Sequence, residues 1–147
     1  MAVQRILLAH QNADCRRIFG SALAYEGYAV AEVTDGDIAM GMLRRTPFDL
    51  VITDLYLRSA TDECLVRRVR ADGILKTLPV IVLTAWSTEP HRKRALDEGA
   101  DAYFLLPVGP RELLAVVHDL LAPKVPPQNG YRTLITPAAL REERASL

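Results

Sequence analysis

Short apolar blocks alternate with longer stretches of helical spacing along the chain, and each block ends on polar or turn-forming residues. Arg5-Ile6-Leu7-Leu8-Ala9 is the first block, too short for a helix and followed by the polar turn His10-Gln11-Asn12-Ala13, so it reads as a strand. Asp14 then stands where a carboxylate can accept the free N–H groups of a first helical turn. Ile18, Ala22, Leu23 and Tyr25 give that helix an apolar side before Glu26-Gly27 ends it. Tyr28 to Val33 is a second strand closed by Thr34-Asp35-Gly36-Asp37. A second helix runs from about Asp37 to Arg45 with Ile38, Met42 and Leu43 inward, and Pro47 stops it.

The third block, Phe48 to Leu57, is an apolar run that halts on the carboxylate of Asp54, as a buried central strand does where it meets a loop. After a loop at Arg58 to Thr61, a third helix turns Leu65, Val66 and Val69 inward and Arg67, Arg68 and Arg70 outward as a solvated face. Leu78 to Thr84 is a fourth strand, apolar enough to be covered on both sides. Glu89-Pro90 opens a helix through Leu96 that Gly99 closes, and Asp101 to Leu105 is the fifth strand. Pro110 opens a last helix through Leu121 with Leu113, Leu114, Val117 and Leu120 buried. Strand and helix thus alternate five times with short connections, which predicts a doubly wound α/β domain: a five-stranded parallel sheet with helices on both faces and right-handed crossovers.

The 147 residues suffice for one domain over residues 1–122. Pro123 to Gly130 changes to a Pro-rich linker composition, and Thr136 to Arg144 has the pattern of a short capped helix, so residues 123–147 read as a linker and tail. Half of the residues are hydrophobic and the formal net charge is +0, which gives no overall attraction to nucleic acid or anionic membrane. No apolar run approaches the roughly 20 residues that span a bilayer, and the N-terminus lacks the layout of a signal peptide, so the expected location is the cytoplasm. Cys15 and Cys64 have no metal-type spacing and are expected as two unpaired thiols.

In open parallel sheets, ligands and chemistry gather at the carboxyl ends of the strands. Three such positions converge here: the turn after strand one, Asp54 after strand three and Thr84 after strand four. Leu106-Pro107 after strand five is a fourth. This order and spacing resemble the receiver domain of two-component response regulators, over about residues 3 to 121. The resemblance implies the flavodoxin-like (βα)5 receiver fold with strand order 2-1-3-4-5. It implies that Asp54 accepts a phosphoryl group from a histidine kinase, and that Thr84 and Tyr103 are the switch hydroxyl and switch aromatic.

Several residues depart from the family pattern. Where receivers usually carry an acidic pair after strand one to hold magnesium, this chain has His10 and Gln11; where they carry a lysine, it has Leu106. Leu57-Arg58 replaces a common Met-Pro, and Asp62 replaces a usual glycine. Phosphoryl transfer needs charge on the transferring oxygens neutralised, normally by a divalent cation and a lysine. Magnesium prefers hard oxygen ligands. Asp54, the main-chain carbonyl of Tyr56 and the amide oxygen of Gln11 would remain for it, with an imidazole at His10 better suited to other metals. The expectation is therefore weak magnesium binding and no other cofactor. Loss of two carboxylates, the lysine and the metal leaves a single negative charge at Asp54, which a protonated His10 would offset; Arg58 is the other cation within reach in sequence.

The resulting expectation is an atypical receiver module, not an enzyme, with weak Mg-dependent phosphorylation at Asp54 and output through protein contacts. The rival is a receiver fully competent to take a phosphoryl group from a histidine kinase at Asp54. A flavin-binding reading has little support, because the turn after strand one lacks a glycine-rich phosphate loop. Partners are expected to be a histidine kinase or another signalling protein, with a homodimer through the fourth helix, fifth strand and fifth helix, where Trp86 is a candidate anchor. The basic run His91-Arg92-Lys93-Arg94 reads as a solvated face balanced by Glu89, Asp97 and Glu98, and direct DNA or membrane binding is not expected.

Overall fold

The computed structural model describes residues 2–61, 63–86 and 88–123; the Asp62 substitution and the tail beyond 123 lie outside the described residues. The five strands are β1 (Arg5–Ala9), β2 (Ala29–Val33), β3 (Leu50–Thr53), β4 (Val80–Thr84) and β5 (Ala102–Leu105), all parallel, in the order β2-β1-β3-β4-β5. The helices are α1 (Ala13–Tyr25), α2 (Gly36–Arg45), α3 (Leu65–Ala71), α4 (Glu89–Asp97) and α5 (Pro110–Leu121).

Alternation along the strands divides the core into two layers, because successive side chains of a strand face opposite sides of the sheet. Ile6 and Leu8, Leu50 and Ile52, and Ile81 and Leu83 pack under α1 and α5 with Phe19, Leu23, Leu113, Val116 and Val117. Leu7, Val51, Val80 and Val82 pack on the other face with Met40, Leu43, Leu65, Val66 and Val69. β3 and β4 are buried on every residue, as strands covered on both faces must be.

Local structure corrects several inward assignments. Asn12, not Asp14, caps α1: its Oδ1 accepts from the N–H of Cys15 at 2.9 Å, while Asp14 lies inside the first turn and pairs with Arg17 at 3.1 Å. Phe19 and Leu23, four residues apart, form the buried stripe of α1, so Ile18 and Tyr25 fall off that stripe and face solvent. In α2, Asp35 caps the first turn and Ala39, Met40 and Leu43 are buried, leaving Ile38 exposed. In α5, Val116 is buried, whereas Leu114 and Leu120 are partly buried.

Two of the three outward arginines of α3 are engaged. Arg68 Nη1 donates to Asp37 Oδ1 at 2.8 Å. Arg70 donates to the carbonyls of Gly99 and Leu78 at 3.0 and 2.6 Å, and to Asp101 at 2.9 Å. Asp101 also accepts from the N–H of Val80 at 2.8 Å and so lies just before β5 instead of inside it. Gly99 has φ of +110°, and a Cβ there would fall 2.9 Å from Arg70 Cγ; the turn therefore requires glycine for its conformation and for its clearance.

Candidate functional site

Strand order reverses direction between β1 and β3, and the crevice opened at that switch point holds His10 and Asp54. The main chain fixes both residues. Asp54 N–H donates to the carbonyl of Ala9 at 3.0 Å, and His10 N–H donates to that of Val33 at 3.0 Å. The side chain of Asp54 is 15% exposed. Its Oδ1 is sealed from solvent with no hydrogen-bond partner among the described residues. Its Oδ2 lies 3.6 Å from Nε2 of the buried His10.

That separation is too long for a hydrogen bond, and the imidazole is committed elsewhere. Nε2 is 2.9 Å from the carbonyl of Leu83, which can only accept, while Nδ1 accepts the N–H of Asn12 at 3.1 Å. The hydrogen therefore sits on Nε2 and the lone pair on Nδ1. His10 stands beside Asp54 with both nitrogens given to the backbone.

Gln11 turns its amide nitrogen, not its oxygen, to the carbonyl of Tyr56, at 2.6 Å. Its own carbonyl and that of His10 accept from Arg16 Nη1 at 2.9 and 2.7 Å. Arg16 was not singled out by sequence; a first-turn arginine carries no signal that its guanidinium will fold back on the preceding loop. Leu106 packs into the α1/α5 layer, and its N–H reaches the carbonyl of Thr84 at 2.8 Å. Arg58 is exposed, and its carbonyl ties the loop to Gly36 N–H at 2.7 Å.

Thr84 is buried at the end of β4, where its Oγ1 is 3.4 Å from the N–H of Trp86. The hydroxyl of Tyr103 donates to the carbonyl of Trp86. Burial pushes the Tyr103 phenol above its usual range, with the charge of Asp54 the next cause, which places the ring within electrostatic reach of the carboxylate. Burial likewise raises the Cys15 thiol, followed by the charge of Asp54, and pushes Cys64, which donates to Glu98, up to about 11. Both cysteines are free, and neither is shifted toward the reactive thiolate.

Tyr56 on the loop after β3, Trp86 after β4 and His91 on α4 pack their rings together. Tyr56 meets Trp86 edge to face at 5.4 Å and His91 at 5.3 Å, and its hydroxyl is 2.7 Å from His91 Nδ1. In the basic run, Arg92 pairs with Glu89 and Arg94 with Glu98, while Lys93 is exposed. His91 is thus turned toward Tyr56, unlike the solvated face expected of it. Among the described residues no three His, Cys, Asp or Glu side chains are grouped to hold a metal ion, and no helix is long and apolar enough to cross a membrane.

The family model for the response regulator receiver domain matches residues 6–118. The phosphate regulon transcriptional regulatory protein PhoB of Escherichia coli is 30% identical over 118 residues, covering 80% of this chain and 52% of PhoB, so the chain spans about half of that relative. Among solved structures, the receiver domain of a signal transduction histidine kinase from Syntrophus aciditrophicus is 26% identical. It has a TM-score of 0.74 and covers 86% of this chain and 99% of that one. The receiver domain of sensor histidine kinase PA1611 from Pseudomonas aeruginosa, which has a magnesium ion in its active-site cleft, is 28% identical with a TM-score of 0.73, covering 82% and 98%. Sequence, fold and the converging strand ends agree: the chain belongs to the response regulator receiver domain family, a signalling module of two-component systems.

Proposed function

We propose that this receiver is atypical: Asp54 is its phosphoacceptor, phosphorylation there is inefficient, and the output is delivered through contacts with other proteins and not by turnover. The observation that carries this reading is the isolation of the Asp54 carboxylate. One of its oxygens is buried with no hydrogen-bond partner among the described residues, and the nearest ring nitrogen donates to a main-chain carbonyl. A phosphoryl donor approaching that carboxylate brings further negative charge, and among the described residues no lysine or arginine pairs with Asp54 to offset it. The donor set does not fit magnesium, since it offers one carboxylate, and Gln11 presents its amide N–H, not its oxygen, beside the Tyr56 carbonyl. Magnesium binding is therefore weak, and the chain needs no other cofactor.

Thr84 and Tyr103 retain the hydroxyl and the ring of a switch, which supports the rival reading of a receiver fully competent toward a histidine kinase. Incubation with acetyl phosphate and Mg²⁺, read by intact mass, separates the two. In that reaction the Asp54 carboxylate attacks phosphorus, the P–O bond to acetate breaks, and acetate leaves with the electron pair. The atypical reading expects slow, partial addition of one phosphoryl group, lost in Asp54→Asn. Rapid, complete and strictly Mg²⁺-dependent addition would overturn it in favour of the rival.

The partners we propose are a histidine kinase or another signalling protein in the cytoplasm, and a second copy of the chain across α4, β5 and α5, where Trp86 and Leu105 are 49% and 43% exposed. Residues 1–122 form the receiver unit, and no DNA contact is assigned to it.

A further inference from the structure

A divalent cation in a strand-end crevice does two jobs: it neutralises charge, and it ties together the loops that supply its ligands. The chain has lost the first function, as proposed above, yet the loops at this crevice are still tied. Gln11 Nε2 donates to the carbonyl of Tyr56 at 2.6 Å and so joins the loop after β1 to the loop after β3. Arg16 holds the Gln11 end through the carbonyls of Gln11 and His10. From Tyr56 the connection continues through its side chain. The hydroxyl lies 2.7 Å from His91 Nδ1 on α4, the ring meets Trp86 at 5.4 Å, and Arg94 lies over the same ring at 5.7 Å. Trp86 then accepts from Tyr103 on β5 through its main-chain oxygen.

We propose that Gln11 is a positioning residue whose amide N–H occupies the Tyr56 carbonyl in place of a metal ion, and that the belt Gln11, Tyr56, His91, Trp86 and Tyr103 fixes the crevice loops without any divalent cation. The proposal rests on the metal-poor reading of the site and deepens it. A carbonyl oxygen keeps a second lone pair, but the Gln11 amide crowds the Tyr56 oxygen and turns its positive N–H toward it, so a cation binding there meets a donor where a further oxygen ligand is needed. The switch aromatic then takes its position from Gln11 and Tyr56, not from the charge state of the crevice.

The test uses the whole chain without a phosphodonor. Amide exchange of residues 55–60 and the emission of Trp86, the only tryptophan, are followed in wild type, Gln11→Leu and Gln11→Asp as Mg²⁺ is added. Gln11 is exposed, so both variants are expected to fold. Wild type should give no saturable response over the range of ion that rescues Gln11→Asp. Gln11→Leu should exchange about fivefold faster at 55–60, with no rescue by Mg²⁺, as loss of one loop-closing hydrogen bond implies. Gln11→Asp should exchange faster without the ion and recover protection, with a saturable change in emission, when it is added. A saturable magnesium response in wild type at ion concentrations no higher than those that rescue Gln11→Asp would overturn the metal-poor reading together with the belt. A silent wild type with unchanged exchange in Gln11→Leu would overturn the belt alone.

Discussion

At the scale of single residues, His10 and Gln11 give side-chain nitrogens to the main chain. The resemblance sets His10, Gln11 and Leu106 where an acidic pair and a lysine are expected, which the residue types alone can suggest. Their actual partners are main-chain groups: the carbonyl of Leu83 and the N–H of Asn12 for His10, and the carbonyl of Tyr56 for Gln11. Every residue carries such groups, so no residue type announces them. The His10 geometry makes a specific prediction: ¹⁵N shifts of the ring should report hydrogen on Nε2 in wild type and equally in Asp54→Asn, since the carboxylate does not hold the proton. A change of tautomer in that variant would show that Asp54, not Leu83, orients the ring.

Among the elements, strand and helix identities followed from periodicity, whereas the facing of particular side chains did not. Ile18 and Ile38 are apolar yet lie off the buried stripes of α1 and α2, because the stripe is set by where the neighbouring layer touches the helix. Arg68 and Arg70 show the converse. A seven-residue helix leaves long guanidinium arms within reach of α2 and of the turn before β5, and there they satisfy carboxylates and carbonyls. Replacing Arg70 by Met keeps the stem and removes those donors. Urea denaturation should show a loss of about 2 kcal/mol, with no change expected at Arg67, which is exposed. Asp37 ties α2 to the loop after Asp54 by accepting from Ala60 N–H, and Arg68 adds a second donor. The Ala60 hydrogen bond, then that from Arg68, holds its carboxyl below the usual carboxylate range. A group whose folded value is depressed stabilises the fold above its unfolded value, and that contribution fades as pH falls through the folded value. Wild type should thus be more stable than Asp37→Asn near neutrality, and urea midpoints of the two should converge on acidification. A constant gap at all pH would assign the effect to packing.

For the molecule as a whole, five alternations of strand and helix were enough to give the layers, because covering both faces of a parallel sheet admits few arrangements of so short a chain. The order β2-β1-β3-β4-β5 came from resemblance, and it sets where the crevice opens. It also leaves β5 as an edge strand, and edges invite pairing unless something covers them. β5 is only four residues long and lies between α4 and α5, so its backbone offers little for strand addition. The apolar side chains beside it offer more. Leu105 and Trp86 are each close to half exposed on one side of the molecule, while Arg92 and Arg94 nearby are paired with Glu89 and Glu98. A face of this kind can meet a second copy of itself, since its charges are balanced within each copy and its apolar centre gains from burial. Sedimentation velocity over a range of concentrations should then find a reversible dimer that Leu105→Arg abolishes, while the emission of Trp86 moves to shorter wavelength as wild type associates. Leu105→Arg is tolerated by the monomer because that side chain already meets solvent. A dimer that survives the substitution would place the contact elsewhere, and a wild type that stays monomeric throughout would overturn the self-association.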